Sequence, residues 1–220
     1  MARLVDYAKL CRDVYAMPGT GAPDGWKVLE SWRTATGFKG AIFLGANELV
    51  VAYAGTDTST VWDFVPDATA DLRLMLDMPR QTSDAYYLYN KAVELQGRHG
   101  AGEMTICGHS LGGALSQHVG YWTKNRFVTF NAPGVYTGIQ GTKVAFMHSP
   151  QKAVRTILAT FSGSADGRNY RLSDDMVSRI GVHYGRLEVL LPGGGATGHG
   201  ISECIKALAA NGQGTAPLFG

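Results

Sequence analysis

Apolar positions change their period along the chain, and each change marks a different element. Leu4, Ala8, Cys11 and Val14 or Tyr15 recur at helical spacing, so residues 3–16 read as an amphipathic helix. The loop chemistry of "MPGTGAPDG" ends it. Three runs rich in β-branched and aromatic residues follow, "WKVLESWRT", "GFKGAIFLG" and "ELVVAYAG", separated by glycine or asparagine turns; they predict an antiparallel meander. Beyond residue 80 the rhythm turns to alternation, with "SDAYYLYNKAVELQGRH" and "GGALSQHVGYW" as helices and "MTICG" and "FVTFNAP" as strands. Such alternation predicts parallel strands joined by crossover helices. Further strands are expected at "VRTILATF" and "RLEVLLP", and a closing helix at "GISECIKALAAN". The tail 212–220, "GQGTAPLFG", reads as a loosely held terminus.

Composition narrows the class without choosing a function. At 220 residues, 45% hydrophobic and 17% charged, the chain has the make-up of an ordinary globular protein and is expected to be a single α/β domain over 1–220. The net charge is +2, and no lysine and arginine cluster provides the footprint of a nucleic-acid binder. "MARLVDYAKLCRDVY" lacks the apolar core of a signal peptide, and no stretch reaches the roughly 18 apolar residues that span a bilayer. Three cysteines, Cys11, Cys107 and Cys204, fit neither a disulfide framework nor a zinc site by number and spacing. A reducing, cytoplasmic setting is the default expectation, and export without a cleaved signal would leave the same pattern.

Chemistry concentrates at "TICGHSLGGALSQHVGYW", residues 105–122, where Ser110 sits in a GxSxG pattern. The pattern lies between a predicted strand and a predicted helix, where a tight turn forces the serine into a strained, exposed conformation. Side chains at Gly108 and Gly112 would collide with neighbouring backbone, and Gly113 and Ala114 let the helix start close to the sheet. A serine hydroxyl is a weak nucleophile until a base takes its proton and a third group orients that base. The rest of the chain must therefore supply a histidine and an acid.

"ICGHSLGGALSQ" followed by "FVTFNAPGV", with "LVVAYAGTD" upstream, resembles the class 3 lipase family, the α/β-hydrolases typified by filamentous-fungus lipases; the likeness runs from about residue 40 to residue 205. It implies a mostly parallel mixed sheet with helices on both faces and the antiparallel meander at its start. It also implies an oxyanion-hole residue at Thr56 in "YAGTD", an acid in the Asp-x-Val turn of "DDMVSRIG", and a histidine in "TGHGISE". Family members usually carry an arginine just before the oxyanion pair; this chain has Ala54.

In α/β-hydrolases the chain order is serine, acid, histidine, so His148, His183 and His199 are the candidates. His148 precedes the best acids, and His183 in "GVHYGRLEVLL" fits a strand residue. His199 lies in the glycine-rich "PGGGATGHG" at a helix start, which can carry an imidazole to the serine. Asp174 and Asp175 are adjacent and point in different directions. The Asp-x-Val match favours Asp175, leaving Asp174 as a turn or cap residue and Asp166 in "GSADGRN" as a turn residue. The implied enzyme is a carboxylic ester hydrolase. Ser110 attacks an acyl ester with His199 as base and Asp175 behind it, and Leu111 and Thr56 hold the oxyanion at about 3 kcal/mol per donor. It needs no cofactor and no metal. Phospholipase or acyltransferase chemistry would use the same residues, and a non-catalytic binding module would need the constellation broken.

The segment 57–79 follows the oxyanion loop, where the family often carries a lid. Trp62, Val65, Leu72 and Met75 or Leu76 fall on one helical face, with Asp63, Asp67 and Asp71 on another; Pro66 sets where such a helix begins. A mobile flap would offer that stripe to a lipid surface in transient contact without membrane insertion, and a fixed helix would pack it into the core. The expected partner is a small-molecule ester or lipid.

Overall fold

The computed structural model describes residues 2–19, 21–55, 79–135, 166–190, 193–215 and 217–219. The elements follow in the order α1 (Leu4–Asp13), β1 (Lys27–Arg33), β2 (Lys39–Leu44), β3 (Glu48–Tyr53), α2 (Pro79–His99), β4 (Glu103–His109), α3 (Leu111–Thr123), β5 (Arg126–Phe130), β6 (Gly167–Leu172), β7 (Arg186–Leu190) and α4 (Ile201–Ala210). Among the described residues, seven strands form one sheet in chain order. β1, β2 and β3 pair antiparallel, and β3 to β7 pair parallel. The expected fold class therefore stands: a meander opens a mostly parallel sheet.

Helices cover both faces. Val50, Ala52 and Cys107 pack with α1 and α4, whereas Leu49, Val51 and Ile106 pack with α2 and α3. This explains why β3 reads as an unbroken apolar run from Leu49 to Tyr53: every one of its positions is buried. At the lower end of the sheet the buried Glu48 carboxylate accepts the Thr105 hydroxyl at 2.6 Å and the Tyr7 hydroxyl, which pins α1 to β3 and β4.

Two sequence expectations change. β6 was not foreseen, because "GRNYRL" has no apolar alternation. Its buried Asn169 instead accepts the Thr129 hydroxyl at 2.7 Å and donates to the Tyr184 and Arg186 carbonyls at 2.7 and 3.1 Å, joining β5, β6 and β7 through one amide. Of the tail, residues 217–219 are docked rather than loose. Pro217 bridges Arg3, the Leu218 N–H donates to the Ala2 carbonyl at 3.4 Å, and Phe219 is buried edge-on against Tyr7. Its phenyl ring supplies the apolar anchor that glycine-rich composition obscured. The expected strand "VRTILATF" lies outside the described residues.

Candidate active site

Ser110 is the single residue between β4 and α3, so a strand and a helix meet at its backbone. It has φ +57° and ψ −129°, a conformation that non-glycine residues rarely adopt and that costs about 1–3 kcal/mol. Hydrogen bonds hold it there. The Ser110 N–H donates to the Phe130 carbonyl at 3.1 Å, and its own carbonyl accepts the Gly113 and Ala114 N–H groups at 2.9 and 3.1 Å. The flanking glycines are steric necessities. A Cβ on Gly108 would stand 2.2 Å from the Gly112 oxygen, and one on Gly112 would stand 2.1 Å from the Tyr53 oxygen. The start of α3 is thus pressed against the end of β3.

Ser110 Oγ lies 2.7 Å from His199 Nε2, and His199 Nδ1 lies 2.8 Å from Asp175 Oδ1. The carboxylate can only accept, so Nδ1 carries the imidazole proton and Nε2 presents a lone pair to the serine. The His199 side chain is 16% exposed and that of Asp175 is 1% exposed, so the imidazole keeps some access to solvent while the carboxylate is sealed. Burial pushes the Asp175 carboxyl up, but bonds from His199 and Ser178 outweigh it and hold the group below its ordinary 3.8. Asp175 also accepts the Val177 and Ser178 N–H groups at 3.2 and 3.1 Å. Capping of this short turn therefore belongs to Asp175, not to Asp174 as expected.

Asp174 has a different task. Its Oδ2 accepts the Gly198 N–H at 2.8 Å, so the adjacent aspartates grip the same loop at its backbone and at its imidazole. Asn131, just past β5, donates to the His199 carbonyl at 2.9 Å and accepts the Leu172 N–H at 2.8 Å. His109 Nε2 also reaches the His199 carbonyl, at 2.7 Å. The sequence reading missed Asn131, His109 and Tyr15. The available signals were a histidine inside GxSxG and an asparagine directly after a buried strand.

The other expected residues fall as follows. Leu111 opens α3 directly after the serine; Thr56 and His148 lie outside the described residues, as does the segment 57–78 with Trp62 and its companions. Gly55, the last described residue before Thr56, is packed onto Ser110, since a Cβ on it would stand 2.8 Å from Ser110 Cβ. His183 is not in a strand: it precedes β7, and its Nε2 donates to the Ala132 carbonyl at 2.8 Å. Asp166 pairs with Arg126 at 3.6 Å, at the end of the sheet opposite Ser110. Among the described residues no group of three or more His, Cys, Asp or Glu side chains is arranged to hold a metal ion, and no helix is long and apolar enough to cross a membrane.

A family model described as phospholipase-like, the Tle-like phospholipase domain, matches residues 6–212. The extracellular phospholipase A1 of Serratia liquefaciens is 30% identical over 148 residues, 59% of this chain and 42% of that protein. The chain thus spans less than half the length of that relative. Among solved structures, the native Rhizomucor miehei lipase propeptide complex aligns with a TM-score of 0.55 at 16% identity, covering 80% of this chain and 61% of that one. A triacylglycerol lipase from Penicillium expansum aligns with a TM-score of 0.55 at 16% identity, covering 84% and 77%. At these identities the two lipases share the fold with this chain.

Proposed function

We infer the activity of this chain from the family it belongs to, the Tle-like phospholipase domain family, and from the hydrogen-bonded series Asp175, His199, Ser110. It is a carboxylic ester hydrolase that cleaves acyl esters of lipids, phospholipids foremost, through an acyl-enzyme on Ser110. The observation that carries the reading is the 2.7 Å contact from His199 Nε2 to a serine held at a strand-to-helix turn. In the mechanism, His199 takes the Ser110 proton as Oγ attacks the ester carbonyl, and Asp175 stabilises the imidazolium that forms. The tetrahedral oxyanion lies at the start of α3, where the Leu111 N–H and the helix dipole favour negative charge, with Thr56 as the second donor. Imidazolium then protonates the departing alcohol, and water, activated by the same His199, releases the acid.

The phospholipid preference rests on the family and on the Serratia phospholipase, whose name also describes it as extracellular; export of this chain belongs to the same reading. A fluorophosphonate probe should label the protein at Ser110, with labelling lost in Ser110→Ala and His199→Ala. A folded wild type that does not label removes the reading. Acid release from phospholipid vesicles, set against soluble esters of increasing chain length, then tests the substrate class. Hydrolysis confined to short soluble esters would exclude the phospholipase assignment.

A further inference from the structure

Two side chains that the mechanism does not use are bonded to both halves of the site. His109, immediately before the nucleophile, is buried, and its ring centroid lies 4.9 Å from that of His199. Its Nε2 contacts the His199 main-chain carbonyl at 2.7 Å. A carbonyl only accepts, so Nε2 carries a proton. On its other side, Nδ1 lies 2.8 Å from the Tyr15 hydroxyl, and the Tyr15 oxygen accepts the Gly55 N–H at 2.9 Å. Burial, reinforced by repulsion from His199, pushes His109 down to about 3. The ring is therefore neutral at working pH, and its bare Nδ1 accepts the Tyr15 proton.

The donor order is thus fixed from end to end: Gly55 to Tyr15, Tyr15 to His109, His109 to His199. One end is the strand terminus that feeds the oxyanion segment, and the other is the backbone of the general base. Asn131 donates to the same His199 carbonyl at 2.9 Å, so two side chains from neighbouring strand ends hold one oxygen. Shifting that carbonyl shifts the imidazole with it, and reaction geometry tolerates only small displacements. A neutral His109 also keeps a second positive charge away from His199 when it becomes an imidazolium.

We propose that Tyr15 and His109 are positioning residues, a hydrogen-bonded strut that holds the general base in register with the oxyanion strand; the proposal rests on the hydrolase reading above. Tyr15→Phe removes one hydroxyl and keeps the ring. It should lower kcat about tenfold on a soluble ester with KM within about twofold, and slow fluorophosphonate labelling by the same factor. His109→Leu should lose about a hundredfold, and His109→Gln, whose amide can still donate to the His199 carbonyl, should recover about half of that loss on a logarithmic scale.

Wild-type kcat and labelling rate in folded Tyr15→Phe overturn the proposal, as does a loss of stability alone with unchanged kcat per folded molecule. Nitrogen-15 spectra of the imidazoles test the strut without activity. They should show His109 as the Nε2–H tautomer from about pH 5 to about pH 8, with its Nδ1 signal displaced in Tyr15→Phe. An Nδ1–H tautomer or an imidazolium at His109 in that range overturns the strut. Failure of the wild type to label would instead strike the hydrolase reading, and the spectra would still decide the strut.

Discussion

A buried histidine kept neutral makes folding depend on pH, and His109 makes the size of that dependence calculable. Unfolded, it titrates near its ordinary 6.5; folded, burial and the neighbouring His199 bring it to about 3. Between these values the unfolded chain binds a proton that the native protein does not, so stability rises with pH and is lost as pH falls below about 6.5. Each pH unit inside the window costs about a factor of ten in the folding equilibrium. Lowering pH from about 6.5 to about 4.5 should therefore cost about fiftyfold, or about 2 kcal/mol, because half of the unfolded chains already carry the proton at about 6.5. The interval stays above the ordinary aspartate value of 3.8 and touches the ordinary glutamate value of 4.5 only at its lower end. Asp175, held below 3.8, contributes stability that is lost only as pH falls through its folded value. His183, also pushed down by burial, adds to the same window, so the comparison must be made between variants. Urea unfolding followed by tryptophan fluorescence at both pH values, for wild type and His109→Gln, isolates the His109 share. The wild type should lose about 2 kcal/mol more than the variant. Equal losses in the two proteins would refute a buried, neutral His109.

Four more outcomes follow from the site's geometry. Asp175→Asn should cut kcat on a soluble ester by at least about a thousandfold, because the wrong His199 tautomer is favoured. Asp174→Asn should cost about tenfold, and the reverse ranking would reassign the acid. Ser110→Gly should abolish labelling yet leave the urea midpoint equal or higher, since glycine relieves about 1–3 kcal/mol of backbone strain at a smaller entropic cost; a clear drop in the midpoint would contradict the strain. Gly112→Ala, whose new methyl would stand 2.1 Å from the Tyr53 oxygen, should prevent folding or destabilise by several kcal/mol in the same unfolding assay, and a wild-type midpoint would show that the α3–β3 contact can relax.

Local chemistry made much of the fold and the site legible. The strands and helices around Ser110 announce themselves because β-branched alternation, apolar runs and glycine turns are read over a few residues. Ser110 and His199 sit in short glycine-rich patterns whose geometry depends on their immediate neighbours. β6 escaped because a buried amide, not apolar alternation, holds it; Asn169 finds its partners 15, 17 and 40 residues away. The docked tail escaped for a similar reason, since Phe219 gains its burial from Tyr7 at the other end of the chain.

The sequence by itself determined the element order through β5, the α/β class, the strained serine and the small set of acids and histidines able to serve it. Only the tertiary structure chose among them. Asp174 and Asp175 are chemically identical neighbours, and what separates their roles is the direction in which each leaves the end of β6 toward a loop 24 residues away. Tyr15 carries no local mark of function, and the place of His109 inside GxSxG does not say what it bonds, because a strut is defined by what lies at its two ends. Gly55 and His199 are joined only in the assembled fold, by hydrogen bonds between residues 40, 94 and 90 positions apart along the chain.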